Sequence, residues 1–137
     1  MKHIKATVLS ALVVWMVLQI MVNIPALAQP LNLNVVTGEW ARTDGNYTIL
    51  VRDVKPDGSA DVGYYNPGEI HVAESNVSVQ KSYIKLFVKL QDKGYPGSTY
   101  TLYYYAEEDA LVGFYYQAAL DQTFEVIFIR NKAALAE

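Results

Sequence analysis

Apolar and polar residues alternate with a period of two along most of the chain beyond residue 37. In segment 83–90 the even positions carry Ile, Leu, Val and Leu, whereas two lysines lie among the odd positions. Segments 98–105 and 122–130 alternate in a similar way. Such alternation is typical of strands that bury one face, and helical spacing is not sustained before the last few residues. The pattern therefore predicts an all-β domain.

Turn residues divide the alternating segments at regular intervals. Seven turn signals recur every 10 to 14 residues, and the clearest lie at 55–58 and 66–68, where Pro presets φ and Gly accepts a positive φ. The spacing predicts eight strands, at about 38–42, 47–54, 59–65, 69–79, 83–90, 98–105, 110–118 and 122–130.

Two features of these strands bear on the architecture. In the fourth predicted strand the parity of the apolar positions changes between Ala73 and Asn76, which predicts a β-bulge or a break. Because eight antiparallel strands can close on themselves and leave no edge, we favour an eight-stranded antiparallel up-and-down barrel. A two-sheet β-sandwich is the alternative.

The first 28 residues have the pattern of an export signal. Lys2 and Lys5 precede an apolar run over residues 6–22, and residues 26–28 (Ala-Leu-Ala) place small side chains at the −3 and −1 positions of a cleavage site. An uncleaved membrane anchor is the rival interpretation, but this run is at the lower limit for spanning a bilayer. We predict a signal peptide at 1–28, an N-terminal arm at 29–36, a barrel domain at 37–131 and a frayed tail at 132–137.

Export and composition together exclude some classes of function and some sources of stability. The processed chain is expected in the periplasm or the medium, with no stable membrane insertion after cleavage. Residues 29–137 carry nine scattered basic and 14 acidic side chains, a formal net charge of −5. Nucleic acids require clustered Lys and Arg, so we expect no nucleic-acid partner. The lack of Cys excludes disulfides, and stability must then come from the core.

The residue types of catalytic and metal sites are sparse. His71 is the single histidine of residues 29–137, and Glu69 lies two positions before it. Two such side chains do not make a metal site, and a solvated pair beside a turn is the expected outcome. We therefore predict a protein that is not an enzyme, with no cofactor and no bound metal.

The two ends of the barrel domain carry a family resemblance. Residues 37–40 (Thr-Gly-Glu-Trp) open the first predicted strand, and Arg130 closes the last. This pairing resembles the calycin superfamily of lipocalin-like and avidin-like barrels, in which a basic side chain of the final strand lies over the Trp of a Gly-x-Trp motif. Residues 57–64 are similar to the second hairpin of the avidin type. The resemblance implies a small barrel with Arg130 over the ring of Trp40; the processed chain also resembles small exported bacterial proteins.

Tyrosines supply the candidate binding residues. Parity assigns Tyr103, Tyr105 and Tyr115 to the outer face, where they form an exposed patch for a partner; cross-strand pairing that only stabilises the sheet is the alternative. Tyr95 precedes Pro96 in the longest predicted loop, a common place for binding residues. Large side chains are expected to fill the interior. They are Tyr100, Tyr104, Phe114, Tyr116, Phe124 and Phe128.

Two functions fit these observations. The first is a protein-interaction module, such as an inhibitor of an extracytoplasmic enzyme, which uses the tyrosine patch and a free arm at 29–36. The second is a small-ligand carrier that binds at one barrel mouth. A filled interior favours the module, whereas a pocket lined by tyrosines and at least one charged group favours the carrier.

Overall fold

The computed structural model describes residues 29–135 of the 137. The predicted signal peptide, residues 1–28, lies outside the described residues, as do the last two residues of the predicted tail. Three short 3₁₀ helices are present, at Leu33–Val36, Ala118–Leu120 and Lys132–Leu135. The strands are β1 (Gly38–Arg42), β2 (Thr48–Val54), β3 (Ala60–Tyr65), β4 (Glu69–Ile70), β5 (Val72–Gln80), β6 (Tyr83–Asp92), β7 (Tyr95–Tyr105), β8 (Ala110–Gln117) and β9 (Gln122–Arg130).

The strands form a nearly closed antiparallel up-and-down barrel. Consecutive strands pair, apart from β4 and β5, and β1 also pairs with β9, so that the sheet order is β4-β3-β2-β1-β9-β8-β7-β6-β5. β4 and β5 are two parts of one kinked segment, because β4 pairs with β3 and β5 pairs with β6. The predicted all-β up-and-down barrel is confirmed, and the ninth strand arises because the fourth predicted strand is divided.

An extra residue just after the division of that strand explains the change of parity in the sequence. His71 separates β4 from β5, and Ala73 is an extra residue at the point where the register of β5 against β6 shifts between Val72 and Glu74. One extra residue turns the side chains that follow it to the opposite face. Val77 is consequently buried in the core.

The barrel closes where β3 approaches β5. The amide of Val77 donates a hydrogen bond to the carbonyl of Gly58 over 2.7 Å, and the hydroxyl of Ser75 donates one to the carbonyl of Ala60, also over 2.7 Å. Gly58 has a φ of 89°, and a Cβ at this position would lie 2.4 Å from the Val77 oxygen. Glycine alone tolerates both conditions without a backbone shift. The contact between β3 and β5 that closes the barrel, which we call the seam, therefore depends on Gly58.

One end of the barrel is filled by Trp40, which is fully buried. Its Nε1 donates a hydrogen bond to the carbonyl of Val36 over 2.8 Å, and Cζ of Arg130 lies 4.2 Å from the centroid of its ring system. Arg130 also donates hydrogen bonds to the carbonyl of Val35 and to the carboxylate of Asp109. The arm that the sequence suggested to be free is therefore fixed at its end, where Val36 is itself buried.

Aromatic and aliphatic side chains fill the middle of the barrel. Tyr64, Tyr100 and Phe128 are fully buried there. Phe124, which was expected in the interior, lies at the rim and is 41% exposed. The aliphatic side chains around the buried rings include Ile49, Val51, Leu86, Val88, Leu90, Leu102 and Leu111.

The two faces of β8 are the reverse of those predicted from the sequence. Leu111 and Tyr115 are buried, whereas Phe114 is 47% exposed on the outer face. Apolar residues occupy both parities of this strand, so its pattern does not select a face. Pairing with β7 does, because Tyr115 lies opposite Tyr100 and cross-strand neighbours share a face. Tyr115 is therefore inside rather than in an outer patch, and Phe114 and Tyr116 are outside rather than in the interior.

Candidate functional site

The barrel has an open end opposite Trp40. The connections at 43–47, 66–68, 93–94 and 118–121 surround it. Between them lies a cleft of about 470 Å³, which we call the mouth cleft. Its lining residues are Arg42, Tyr47, Gly94, Tyr95, Tyr115, Gln117 and Phe124.

Two buried tyrosines lie below this lining. The hydroxyl oxygens of Tyr64 and Tyr100 are 3.0 Å apart, and Nη1 of Arg42 donates a hydrogen bond to the Tyr100 hydroxyl, also over 3.0 Å. Burial raises the pKa of Tyr100 to about 12, although its hydrogen bonds with Tyr64 and Arg42 act in the opposite direction. Burial raises the pKa of Tyr64 as well. Both hydroxyls therefore remain neutral near pH 7.

Arg42 is the charged group of the mouth cleft. Its side chain is 10% exposed, and Cζ lies 4.3 Å from the ring centroid of Tyr47 and 5.6 Å from that of Tyr115. Nε and Nη2 both donate hydrogen bonds to the carboxylate of Asp44. Burial disfavours the charged guanidinium, but the hydrogen bonds with Asp44 and Tyr100 outweigh it and raise the pKa of Arg42. The hydrogen bonds from Arg42 lower the pKa of Asp44, so the positive charge is balanced within the protein.

Aromatic rings form the walls of the cleft. Tyr115 stacks on Tyr100 with ring centroids 4.6 Å apart, and Phe124 lies 6.5 Å from Tyr115 at the rim. The hydroxyl of Tyr95 accepts a hydrogen bond from Nδ2 of Asn66 over 2.5 Å. Ring contacts and hydrogen bonds of this kind restrict side-chain rotation, so the cleft is largely formed before any ligand enters.

The lining of the mouth cleft combines aromatic and polar groups. It offers aromatic faces, the amide of Gln117 and one balanced guanidinium. Within residues 29–135, no group of three or more His, Cys, Asp or Glu side chains is placed to hold a metal ion. The aromatic faces and the polar groups of the lining can take part in stacking and hydrogen bonding.

The structure separates the four tyrosines that the sequence singled out. Tyr95 and Tyr115 line the mouth cleft. Tyr103 and Tyr105 lie on the outside of the barrel toward its other end, where the ring of Tyr83 contacts both of them at centroid distances of 6.5 and 5.5 Å. The expected outer patch of Tyr103, Tyr105 and Tyr115 therefore does not form.

Besides Gly94, four lining residues were not recognised as a site from the sequence: Arg42, Tyr47, Gln117 and Phe124. Each of them lies beside the first or the last turn signal of the meander. In an up-and-down barrel every second turn falls at the same end, so residues beside the first, third, fifth and seventh turns converge. That rule is the sequence signal that could have brought these residues together.

Two further depressions lie on the surface. One of about 450 Å³ lies beside Leu31 and Val35, and one of about 550 Å³ lies between Tyr103 and Ile127 on the outside of the sheet. The acidic side chains that line them are exposed. Of these three sites on the described residues, the mouth cleft is the one in which tyrosines surround a partly buried charged group.

No known protein family, curated protein or solved structure matches this chain. In the part of the chain that the structure describes, no helix has the length and apolar character needed to span a membrane. The function must therefore be argued from the geometry of the site.

Proposed function

We propose that this protein is an exported, calycin-like barrel that binds a small molecule in the mouth cleft. The observation that carries the proposal is the convergence of tyrosine rings on a guanidinium at the open end of the barrel. This arrangement favours the ligand carrier over the protein-interaction module. The module was expected to use a surface patch in which Tyr115 faces outward, whereas Tyr115 is buried. The contact of Arg130 with Trp40 supports the calycin-like assignment.

The size of the mouth cleft limits the size of the ligand. Small-molecule sites usually enclose about 300–1,000 Å³, and the volume of about 470 Å³ falls in the lower part of this range. Tyr64, Tyr100 and Phe128 fill the barrel below, so a ligand cannot descend along the axis. The cleft therefore suits a compound of one or two rings that stays at the rim.

The hydrogen bonds of Arg42 limit the charge of the ligand. Three of its five N–H groups are directed to Asp44 and Tyr100, and the carboxylate balances its charge. A second anion gains little from such a guanidinium. The rings of Tyr47, Tyr115 and Phe124 favour an aromatic ligand instead, since each good ring contact contributes about 0.5–1.5 kcal/mol. The ligand class is thus a neutral aromatic compound with a polar substituent.

Saturation-transfer NMR with three probes tests this ligand class. Indole is a neutral aromatic compound, benzoate is an aromatic anion and glucose is a ring without aromatic character. We expect transfer to indole and markedly less to benzoate and glucose. Stronger binding of benzoate or glucose would contradict the ligand class, and no binding of any probe at millimolar concentration would contradict the proposed function.

Two phenylalanines provide a matched pair of variants for the same experiment. Phe124 and Phe114 are 41% and 47% exposed, but Phe124 lines the mouth cleft and Phe114 lies on the outside of the barrel. We expect Phe124→Ala to weaken indole binding about five- to tenfold through the lost ring contact, and Phe114→Ala to leave it unchanged. Equal effects of the two substitutions would show that indole does not bind in the mouth cleft.

A further inference from the structure

The outside of the barrel carries a contiguous apolar surface on β6 to β9. Five of its side chains are each 41–52% exposed, although all are large and apolar or aromatic. Contiguous surfaces of this kind are uncommon on monomeric proteins and mark contact sites. We call this surface the outer face; it consists of Tyr83, Tyr103, Tyr105, Val112, Phe114, Ile127 and Ile129.

Strand register makes the outer face continuous. Tyr103 pairs with Val112, and Val112 pairs with Ile127, so these three side chains form one row across β7, β8 and β9. Tyr105 and Ile129 flank Ala110 in the row toward the closed end. Neighbours within a row lie about 4.5–5.5 Å apart, and diagonal neighbours in successive rows lie about 7–8 Å apart, within reach of aromatic and long side chains. The rows therefore form a single surface.

Charged side chains border the outer face on two opposite sides. Lys85 and Lys89 lie on β6, opposite Tyr103 and Thr99, whereas Glu125 lies on β9. The row of Glu125 falls between the rows of the two lysines. In the described part of the chain, none of these three charged groups takes part in an ion pair within the protein.

We propose that the outer face binds a second copy of this chain and forms a symmetric dimer. A two-fold axis parallel to the strands, between β7 and β8, stacks β6 of one copy over β9 of the other. Glu125 of each copy then lies opposite the gap between Lys85 and Lys89 of the other copy. A two-fold interface must be self-complementary, and this arrangement of charges satisfies that condition while the apolar rows pack together.

The dimensions of the outer face indicate a weak dimer. Four strands about 4.8 Å apart and three rows about 6.8 Å apart give a surface of roughly 15 by 14 Å between Cα atoms, to which the side chains add a margin. Because the sheet curves into a barrel, the two convex surfaces do not touch over their whole area, and two copies bury at most about 1,000 Å² in total, the lower limit for a specific interface. We expect a dissociation constant in the micromolar range. The dimer leaves the mouth cleft open, so it does not depend on the proposed function.

Sedimentation velocity between about 1 and 100 µM tests the dimer on protein that is expressed from the full sequence and purified as the cell processes it. We expect a concentration-dependent shift from monomer to dimer. Phe114→Glu places a charge on β8, beside the proposed two-fold axis, and should abolish the shift, with an unchanged circular dichroism spectrum as proof of folding. The matched control is Val79→Glu, since Val79 is 52% exposed on β5, away from the outer face. It should dimerise as the unsubstituted protein does.

Charge reversal tests the arrangement itself. Glu125→Lys should weaken the dimer at least tenfold at low salt, and the triple variant Lys85→Glu, Lys89→Glu, Glu125→Lys should restore it, because the same contacts return with opposite signs. A protein that stays monomeric at 100 µM would overturn the proposal. So would a triple variant that fails to dimerise, or a monomer that uses the outer face to bind vesicles of phosphatidylcholine and phosphatidylglycerol instead.

Discussion

Nη1 of Arg42 donates a hydrogen bond over 3.0 Å to the hydroxyl of Tyr100. Arg42 ends β1 and Tyr100 lies on β7, and these strands are not neighbours in the sheet, so the bond crosses the barrel. The hydroxyl of Tyr64 joins the same pair from β3. Three strands are thereby fixed to one another beneath the mouth cleft, which makes the site part of the folded core.

Removal of the central hydroxyl should therefore be costly. We expect Tyr100→Phe to lower the free energy of unfolding by about 2 kcal/mol, because Arg42 and the buried hydroxyl of Tyr64 both lose a partner. Tyr64→Phe should cost about 1 kcal/mol, since the bond between Arg42 and Tyr100 remains. Urea unfolding measures both values. Equal costs for the two variants would show that the bond across the barrel contributes nothing of its own.

The raised pKa of Tyr100 predicts that the folded protein loses stability at alkaline pH. Burial holds this pKa at about 12 in the folded protein, above the value of about 10 in an unfolded chain. The resulting stability is complete below pH 10 and is lost as the pH rises through 12. We expect the melting temperature to fall over this interval, and Tyr100→Phe to flatten the decline. A melting temperature that is constant from pH 9 to pH 12 would contradict this account.

At the closed end, Trp40 should be the most costly side chain to truncate. It is fully buried, its Nε1 donates to Val36 and Arg130 lies over its ring. We expect Trp40→Ala to lower the free energy of unfolding by about 3–5 kcal/mol. Phe114→Ala, at an exposed aromatic position, is the control and should cost less than 1 kcal/mol. A cost below 1 kcal/mol for Trp40→Ala would refute its role in the core.

Asp109 should make the stability of the same end sensitive to acid. Its hydrogen bonds with Arg130 lower the pKa of its carboxyl group, with a further contribution from Tyr104. Stability from a lowered carboxyl pKa is present above the unfolded value of about 4 and is lost as the pH falls through the folded value. We expect Asp109→Asn to cost about 2 kcal/mol at pH 7 and almost nothing at pH 2. A cost that does not depend on pH would show that the carboxylate charge is not involved.

The contribution of the seam to stability can be tested by adding a single methyl group. Gly58→Ala places a Cβ 2.4 Å from the carbonyl oxygen of Val77, at a φ of 89°, and we expect a loss of about 2 kcal/mol. Gly68→Ala is the matched control, because a Cβ there has no neighbour within 4 Å and the substitution also restricts the unfolded chain. Thermal unfolding compares the two. Similar melting temperatures for the two variants would show that β3 and β5 can move apart at this point without a loss of stability.

The sequence was sufficient for those parts of the structure that local pattern controls. The alternation on β6 predicted its buried face, and the parity change near Ala73 predicted the β-bulge at which the register of β5 shifts between Val72 and Glu74. On β8 the pattern failed, because Phe114 and Tyr115 are both aromatic and the pairing of the strand with β7 decides which of them is buried. Local alternation carries no information when both faces are apolar.

The mouth cleft could not be predicted for a related reason. Arg42 and Tyr115 are far apart in the sequence, and they meet because β1 pairs with β9 and β9 pairs with β8. An isolated Arg beside a turn has no pattern that distinguishes it from a solvated one. The order of the turns restricts which residues can converge, but the register of the closed barrel is needed to show that they do.

Amide chemical-shift mapping of indole on ¹⁵N-labelled protein tests the central claim most directly. The account predicts shift changes that saturate with one site and are concentrated at Gly94, Tyr95 and Gln117 around the mouth cleft, with the amides of Tyr103 and Ile127 unchanged. Changes centred on the outer face or on the depression beside Leu31, or no changes at millimolar indole, would contradict it.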